Sequence, residues 1–184
     1  MNISEQMLKK TPIFKGRVFE VSVDDVKLCD GSETTREVVW HGGGTACVAI
    51  DENNDIHLVK QWRYPFGKEL LEIPAGKLEP NEEPIECAKR ELVEEIGLFP
   101  KDIELLAEMY AAPAYLNEKL SIYIAREFEQ KVQNLDDGEF LDVVKIPFKK
   151  AFDMVLSGEI KDAKTQIGIL KAKIVLDCEE VKNM

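Results

Sequence analysis

Glu91, Glu94 and Glu95 fall within five residues, in the stretch RELVEEIGL from Arg90 to Leu98, of a chain whose formal net charge is already −11. Carboxylates gathered this closely suit hard-oxygen ligation of a divalent cation such as Mg²⁺. The competing reading is a solvated acidic helix face, with Glu94 paired to Arg90 one turn earlier. Like charges four residues apart cost a helix roughly a few tenths of a kcal/mol, and glutamates near a helix C-terminus oppose its dipole. Glu91 and Glu95 have no obvious cationic neighbour in the sequence, which makes sense if an ion lies between them. On spacing alone both readings stand.

The element that must carry these residues is a helix beginning near Pro84, a residue suited to the first helical position, and stopping at Gly97. At roughly 100° per residue, Ile85, Ala88, Leu92 and Ile96 share its buried face, and Glu91 and Glu95 stack on the flank of that face. Upstream, Phe14 to Leu28 alternates as a strand, Asp30-Gly31 signals a hairpin, and Thr34 to Trp40 returns. Thr45 to Asp51 reads as a buried strand, and Asn53-Asn54 turns the chain into a further strand ending at Arg63. The Gly42–Gly44 triplet has no following Lys-Ser/Thr pair and leads into a strand, so it reads as a joint rather than a phosphate loop. Pro147 to Gly158 is an amphipathic helix with Phe148, Phe152 and Val155 on one face, and the run from Asp162 to Asp177 is another, packing on the other side of the sheet. Neither carries recognisable catalytic chemistry.

Bulk properties narrow the partners. A pI near 4.8 argues against nucleic acid and against an anionic membrane surface, both of which require a basic patch. No apolar run approaches the ~18 residues of a spanning helix, and MNISEQMLKK does not read as a signal peptide. Cys29, Cys47, Cys87 and Cys178 are scattered without ligand spacing, which fits reduced thiols in a cytoplasmic protein. His41 and His57 stand alone and are assigned no chemistry.

Gly76, Glu82, Arg90, Glu91, Leu92, Glu94, Glu95, Gly97 and Leu98 occupy nine fixed positions across 23 residues in GKLEPNEEPIECAKRELVEEIGL. This stretch resembles the Nudix box without a departure. The surrounding REVVWHGGGTACVAID, VKQWRYPFGKELLEIPAGKLE, Pro113 sixteen residues beyond Gly97, and the later GEFLDVVKIPFKKAFDMVLSGEIKDAKTQIGIL look like the ADP-ribose pyrophosphatase branch of that family. The resemblance implies an α/β fold: an α/β/α sandwich around a mixed β-sheet, preceded by N-terminal antiparallel strands. It divides the chain into a strand segment, 1–44, that often crosses onto a partner in a homodimer, and a Nudix domain, 45–184. It implies Mg²⁺-dependent hydrolysis, with Mn²⁺ as the alternative ion, of ADP-ribose to AMP and ribose 5-phosphate. A metal between acidic protein and anionic substrate reconciles their charges.

By box position, Glu91 and Glu95 are the first-choice metal ligands, joined by the carbonyl of Ala75. Glu94 either ligates metal, orients the water or pairs with Arg90, and Arg90 supports the box glutamates through bidentate hydrogen bonds. Glu82 anchors the preceding loop or joins the metal shell. Arg36 and Arg63 match phosphate-contacting positions, and a guanidinium fork suits a phosphate. Glu72 is a metal or water ligand, or the polar phase of a strand. The general base commonly comes from a later acidic loop; in LDDGEFLD the choice falls on Glu139 over Asp136 and Asp137, with Gly138 giving the loop freedom. Trp40, Trp62, Tyr64 and Tyr110 are candidates to stack a base, or are core and interface residues. The competing functions are hydrolysis of another nucleoside diphosphate sugar or dinucleotide, and a non-catalytic ADP-ribose-binding domain. A complete box and the lack of a separate basic domain disfavour the last.

Overall fold

The computed structural model describes residues 3–182, and its contacts divide the chain into two units. The first comprises the residues up to Gly43 together with Tyr110–Lys119. It is a three-stranded antiparallel sheet of β1 (Gln6–Lys15), β2 (Phe19–Lys27) and β3 (Glu33–His41), in the order β1-β2-β3. The β2–β3 hairpin closes at Asp30–Ser32, where the Asp30 carboxylate accepts from both the backbone N–H and the hydroxyl of Ser32. Alternation along β2 buries Ser22, Asp24 and Val26. Residues 110–119 lie against β3, with Val39 N–H donating to Tyr115 O at 2.7 Å and Asn117 N–H to Val39 O at 3.2 Å.

The expected single strand from Phe14 to Leu28 is two strands. β1 begins at Gln6, and the chain turns at Gly16, whose N–H donates to Phe19 O at 3.0 Å. The reason β1 is hidden in the sequence is physical. As an edge strand it tolerates Pro12, and nearly all of its residues are exposed, so no burial imposes alternation.

The second unit holds a seven-stranded mixed sheet, ordered β10-β5-β4-β9-β8, with β6 on β5 and β7 on β4. Its strands are β4 (Gly44–Ile50), β5 (Asp55–Arg63), β6 (Lys68–Glu72), β7 (Ala75–Lys77), β8 (Leu98–Tyr110), β9 (Lys119–Gln130) and β10 (Leu141–Pro147). β4 is buried throughout and pairs parallel with β9, so its apolar run reflects burial on both faces. On one face Ala46, Val48, Ile56, Leu58 and Ile122 pack under α2 (Phe148–Leu156) and α3 (Ala163–Lys182). On the other, Cys47, Ala49, Val59 and Tyr123 pack under Ala88, Leu92 and Ile96 of α1 (Pro84–Ile96). This is the expected α/β/α sandwich. α3 continues past Asp177 to Lys182. No helix among the described residues is long and apolar enough to cross a membrane.

Candidate active site

The site is built where β7 meets α1. β7 pairs with β4 through Ala46↔Ala75 and Thr45↔Gly76, which fixes its backbone against the sheet. The Ala75 N–H donates to Glu95 Oε2 at 2.9 Å. At Gly76 a Cβ would lie only 1.7 Å from Glu91 Oε1, so the Glu91 carboxylate occupies space that any side chain at 76 would fill. The Ala75–Gly76 backbone therefore seats both glutamates.

Arg90 ties the rest of the helix surface together. Its Nε and Nη2 donate to the two oxygens of Glu82 at 2.9 and 3.0 Å, and its Nη1 to Glu91 Oε1 at 2.7 Å and Glu94 Oε2 at 2.8 Å. Glu82 also accepts from the Glu79 N–H. With both oxygens engaged it anchors the loop, and the Arg90 bonds hold its carboxyl down at about 2. Glu91 thus has a cationic neighbour after all. Adjacent residues do not face each other on a helix, but the long Arg90 side chain curls back across the surface to reach Glu91.

Glu95 lies deeper than the expected flank position, at 2% exposure. Burial, then the charge of Glu91, pushes its carboxyl up to about 8, against the opposing Ala75 N–H and Arg63; Glu139 adds to the rise. Glu91 is also pushed up, by burial first, with Arg90 opposing and Glu94 and Glu139 contributing. Two desolvated carboxylates side by side are costly unless a cation joins them. Among the described residues no three His, Cys, Asp or Glu side chains converge as a ready metal cluster. The carboxylates of Glu91 and Glu95, seated on the Ala75–Gly76 backbone, are hard oxygen donors that fit an ion such as Mg²⁺, which completes its shell with water and phosphate oxygens.

Glu139 stands at the end of the loop between β9 and β10. Its N–H closes a turn on Asp136 O at 3.0 Å, past Gly138 at φ 83°, and its Oε1 accepts from Gln61 Nε2 at 3.0 Å. Its charge reaches Glu91 and Glu95, raising both. The start of the loop is bonded to the C-terminal turn of α1. Gly97, at φ 67°, ends the helix; Lys131 N–H and Gln130 Nε2 donate to Gly97 O, Asn134 N–H to Glu94 O, and Gln133 Nε2 to Glu95 O.

On β5, Arg63 forms a bidentate pair with Glu72, at 2.6 and 2.8 Å. Lys164, at the start of α3, also bonds Glu72 and lies 3.0 Å from Asp162 Oδ1. Glu72 is 2% exposed; burial alone would raise its carboxyl, but Arg63 and Lys164 outweigh it and hold it at about 2. It is thus a buried carboxylate with two cations. Asp162 caps α3 by accepting from the Thr165 N–H, and Thr165 Oγ1 accepts from Ile73 N–H. Trp62 is 58% exposed, and Tyr64 and Tyr110 are exposed as well.

In the first unit, Arg36 bonds Glu5 through Nε and Nη2 at 3.0 and 2.6 Å. Trp40 donates to Ser22 Oγ at 2.7 Å beneath Lys10. His41 Nδ1 accepts from Gly43 N–H, and His57 lies 3.3 Å from Asp51. Gln61, Lys164 and Glu5 went unnoticed in the sequence. Their partners lie 78, 92 and 31 residues away, and no local pattern marks them.

Residues 40–165 match the NUDIX domain, and the chain belongs to the Nudix family of hydrolases. It is 36% identical over 170 residues to the ADP-ribose pyrophosphatase of Bacillus subtilis (strain 168), covering 91% of this chain and 92% of that one. It is 38% identical over 167 residues to the methanol dehydrogenase activator of Bacillus methanolicus, covering 90% of each. A GDP-mannose pyrophosphatase of Enterobacter sp. (strain 638) is 32% identical over 143 residues, 72% of this chain and 74% of the relative. The crystal structure of an ADP compounds hydrolase superposes with a TM-score of 0.85 at 20% identity, over 97% of this chain and 98% of that one, a likeness of fold.

Proposed function

We propose that this hydrolase cleaves the pyrophosphate of ADP-ribose, giving AMP and ribose 5-phosphate, with Mg²⁺ or alternatively Mn²⁺ held by Glu91, Glu95 and the Ala75 carbonyl. The observation that carries this reading is the pair of carboxylates seated on Ala75–Gly76, Glu95 buried and Glu91 half-buried, with Glu95 raised to about 8. The two relatives named ADP-ribose pyrophosphatase support the choice of substrate. The ion neutralises the diphosphate and acidifies a water when bound.

The chain's own groups do the rest. Glu139 accepts the water's proton as the water oxygen bonds one phosphorus and the bridging oxygen leaves with the other phosphate. Arg63 keeps its Nη1 edge outside the Glu72 pair and donates to phosphate; Arg36, a phosphate contact by the family resemblance, is held by Glu5 through Nε and Nη2. Exposed Trp62 offers a face for a base. Arg90 holds Glu91 and Glu94 in place, and Glu94 spends an oxygen on that bond. The enzyme acts as a homodimer in the cytoplasm, where its four free thiols stay reduced, and it takes neither nucleic acid nor membrane as partner.

A second reading, a pyrophosphatase of another nucleoside diphosphate sugar, draws on the GDP-mannose pyrophosphatase relatives. The test is turnover of ADP-ribose followed by chromatography for AMP, with Mg²⁺ and with EDTA. AMP formed only with metal, and lost in Glu95→Gln, supports the proposal. Intact ADP-ribose beside cleaved GDP-mannose moves the assignment to the second reading. Tight binding without turnover of any such compound overturns both.

A further inference from the structure

The carboxylates around α1 are held in two different ways. Glu72, Glu82, Glu91 and Glu94 each accept from a cation: Arg63 and Lys164 for Glu72, Arg90 for the other three. Glu139 accepts from a neutral amide, Gln61 Nε2, at 3.0 Å. The distinction matters for a base. A bonded cation stabilises the carboxylate charge and lowers its proton affinity, as the values of about 2 at Glu72 and Glu82 illustrate. A neutral donor fixes direction with less loss of basicity, because its hydrogen bond is the weaker kind. Gln61 engages Oε1, which leaves Oε2 for a proton.

Gln61 is itself firmly placed. It lies in β5 between two paired strands, opposite Leu141 of β10 and Leu70 of β6. The far end of the Glu139 loop is bonded to the last turn of α1 through Lys131 and Asn134. Between these supports, Gln61 is the side chain bonded to the Glu139 carboxylate.

We propose that Gln61 is a positioning residue for Glu139, aiming its carboxylate at the attacking water through a hydrogen bond to one oxygen that leaves the other free to take the proton. This rests on Glu139 being the base under the function proposed above. Gln61→Met removes the donor and keeps the length of the side chain. Losing one hydrogen bond should lower kcat about tenfold with KM held within about twofold, because substrate contacts are untouched. In a Glu139→Gln background the same change should cost nothing further, because Gln61 acts only through Glu139.

Amide hydrogen exchange, on protein without substrate or added metal, supplies a readout independent of turnover. The Glu139 amide should exchange faster in Gln61→Met, while the α1 amides keep their wild-type rates. Gln61→Asn, too short to reach, should behave the same way and serves if the Met variant folds poorly. Losses that multiply in the double variant, or an unchanged Glu139 exchange rate, would overturn the proposal. If Glu139→Gln alone leaves kcat intact, the base assignment fails and takes the catalytic consequence with it. The exchange rates then still report whether the tether exists.

Discussion

At the residue scale, the most consequential feature is a glutamate kept from ionising. Glu95 rises from 4.5 to about 8, so without metal the folded protein binds a proton there that the unfolded chain releases. The sign follows directly: this group contributes a loss of stability that begins above pH 4.5 and grows as pH rises through about 8. Glu95→Gln should therefore raise the melting temperature of the EDTA-treated protein, more near pH 9 than near pH 6. Equal gains at both pH values would mean that Glu95 is not held protonated. A cation bound between Glu91 and Glu95 would expel that proton. Titrating Mg²⁺ at neutral pH, in buffers of different ionisation enthalpy, should show proton release in the wild type and little in Glu95→Gln.

At the element scale, the meeting of β7 and α1 decides whether the glutamates are seated. Gly76 is the crowded point of that arrangement, since a methyl group there would overlap the Glu91 carboxylate. Gly76→Ala should displace Glu91 and lower kcat by about a hundredfold, the scale of losing a positioned catalytic group, while the circular dichroism spectrum stays that of the wild type. Wild-type turnover would show that Glu91 can sit elsewhere and still serve. α1 was readable in the sequence because its signals are local: Pro84, Gly97 and the Ala88–Leu92–Ile96 stripe all fall on the one 13-residue helix and its C-cap. β1 was not, because an exposed edge leaves no burial pattern. The box glutamates stood out through the nine-position motif, since the spacing of Glu91 and Glu95 alone left a solvated acidic face equally open. The partners that fix them were less so: Arg90 reaches Glu91 against helix geometry, and Lys164 reaches Glu72 from the far end of the chain. Side-chain reach across a folded sheet has no period to detect.

At the scale of the whole molecule, the first unit exposes Met7, Ile13, Phe14 and Phe19, apolar side chains that a subunit contact would cover. The proposed homodimer predicts a solution mass twice the 20.9 kDa of the chain, by light scattering. A mass of one chain would refute the dimer and leave the chemistry of the second unit as described. The loop between β9 and β10 bears on how such a chain can diversify. It is bonded at Asn134 to α1 and at Glu139 to Gln61, so residues 135–138 form a span slung between two posts. Doubling such a span adds only about 0.6 kcal/mol of closure entropy, roughly a threefold effect on a rate that requires closure. Length variation should therefore accumulate in this stretch, where an insertion can carry new contacts to a substrate while Glu139 keeps its place.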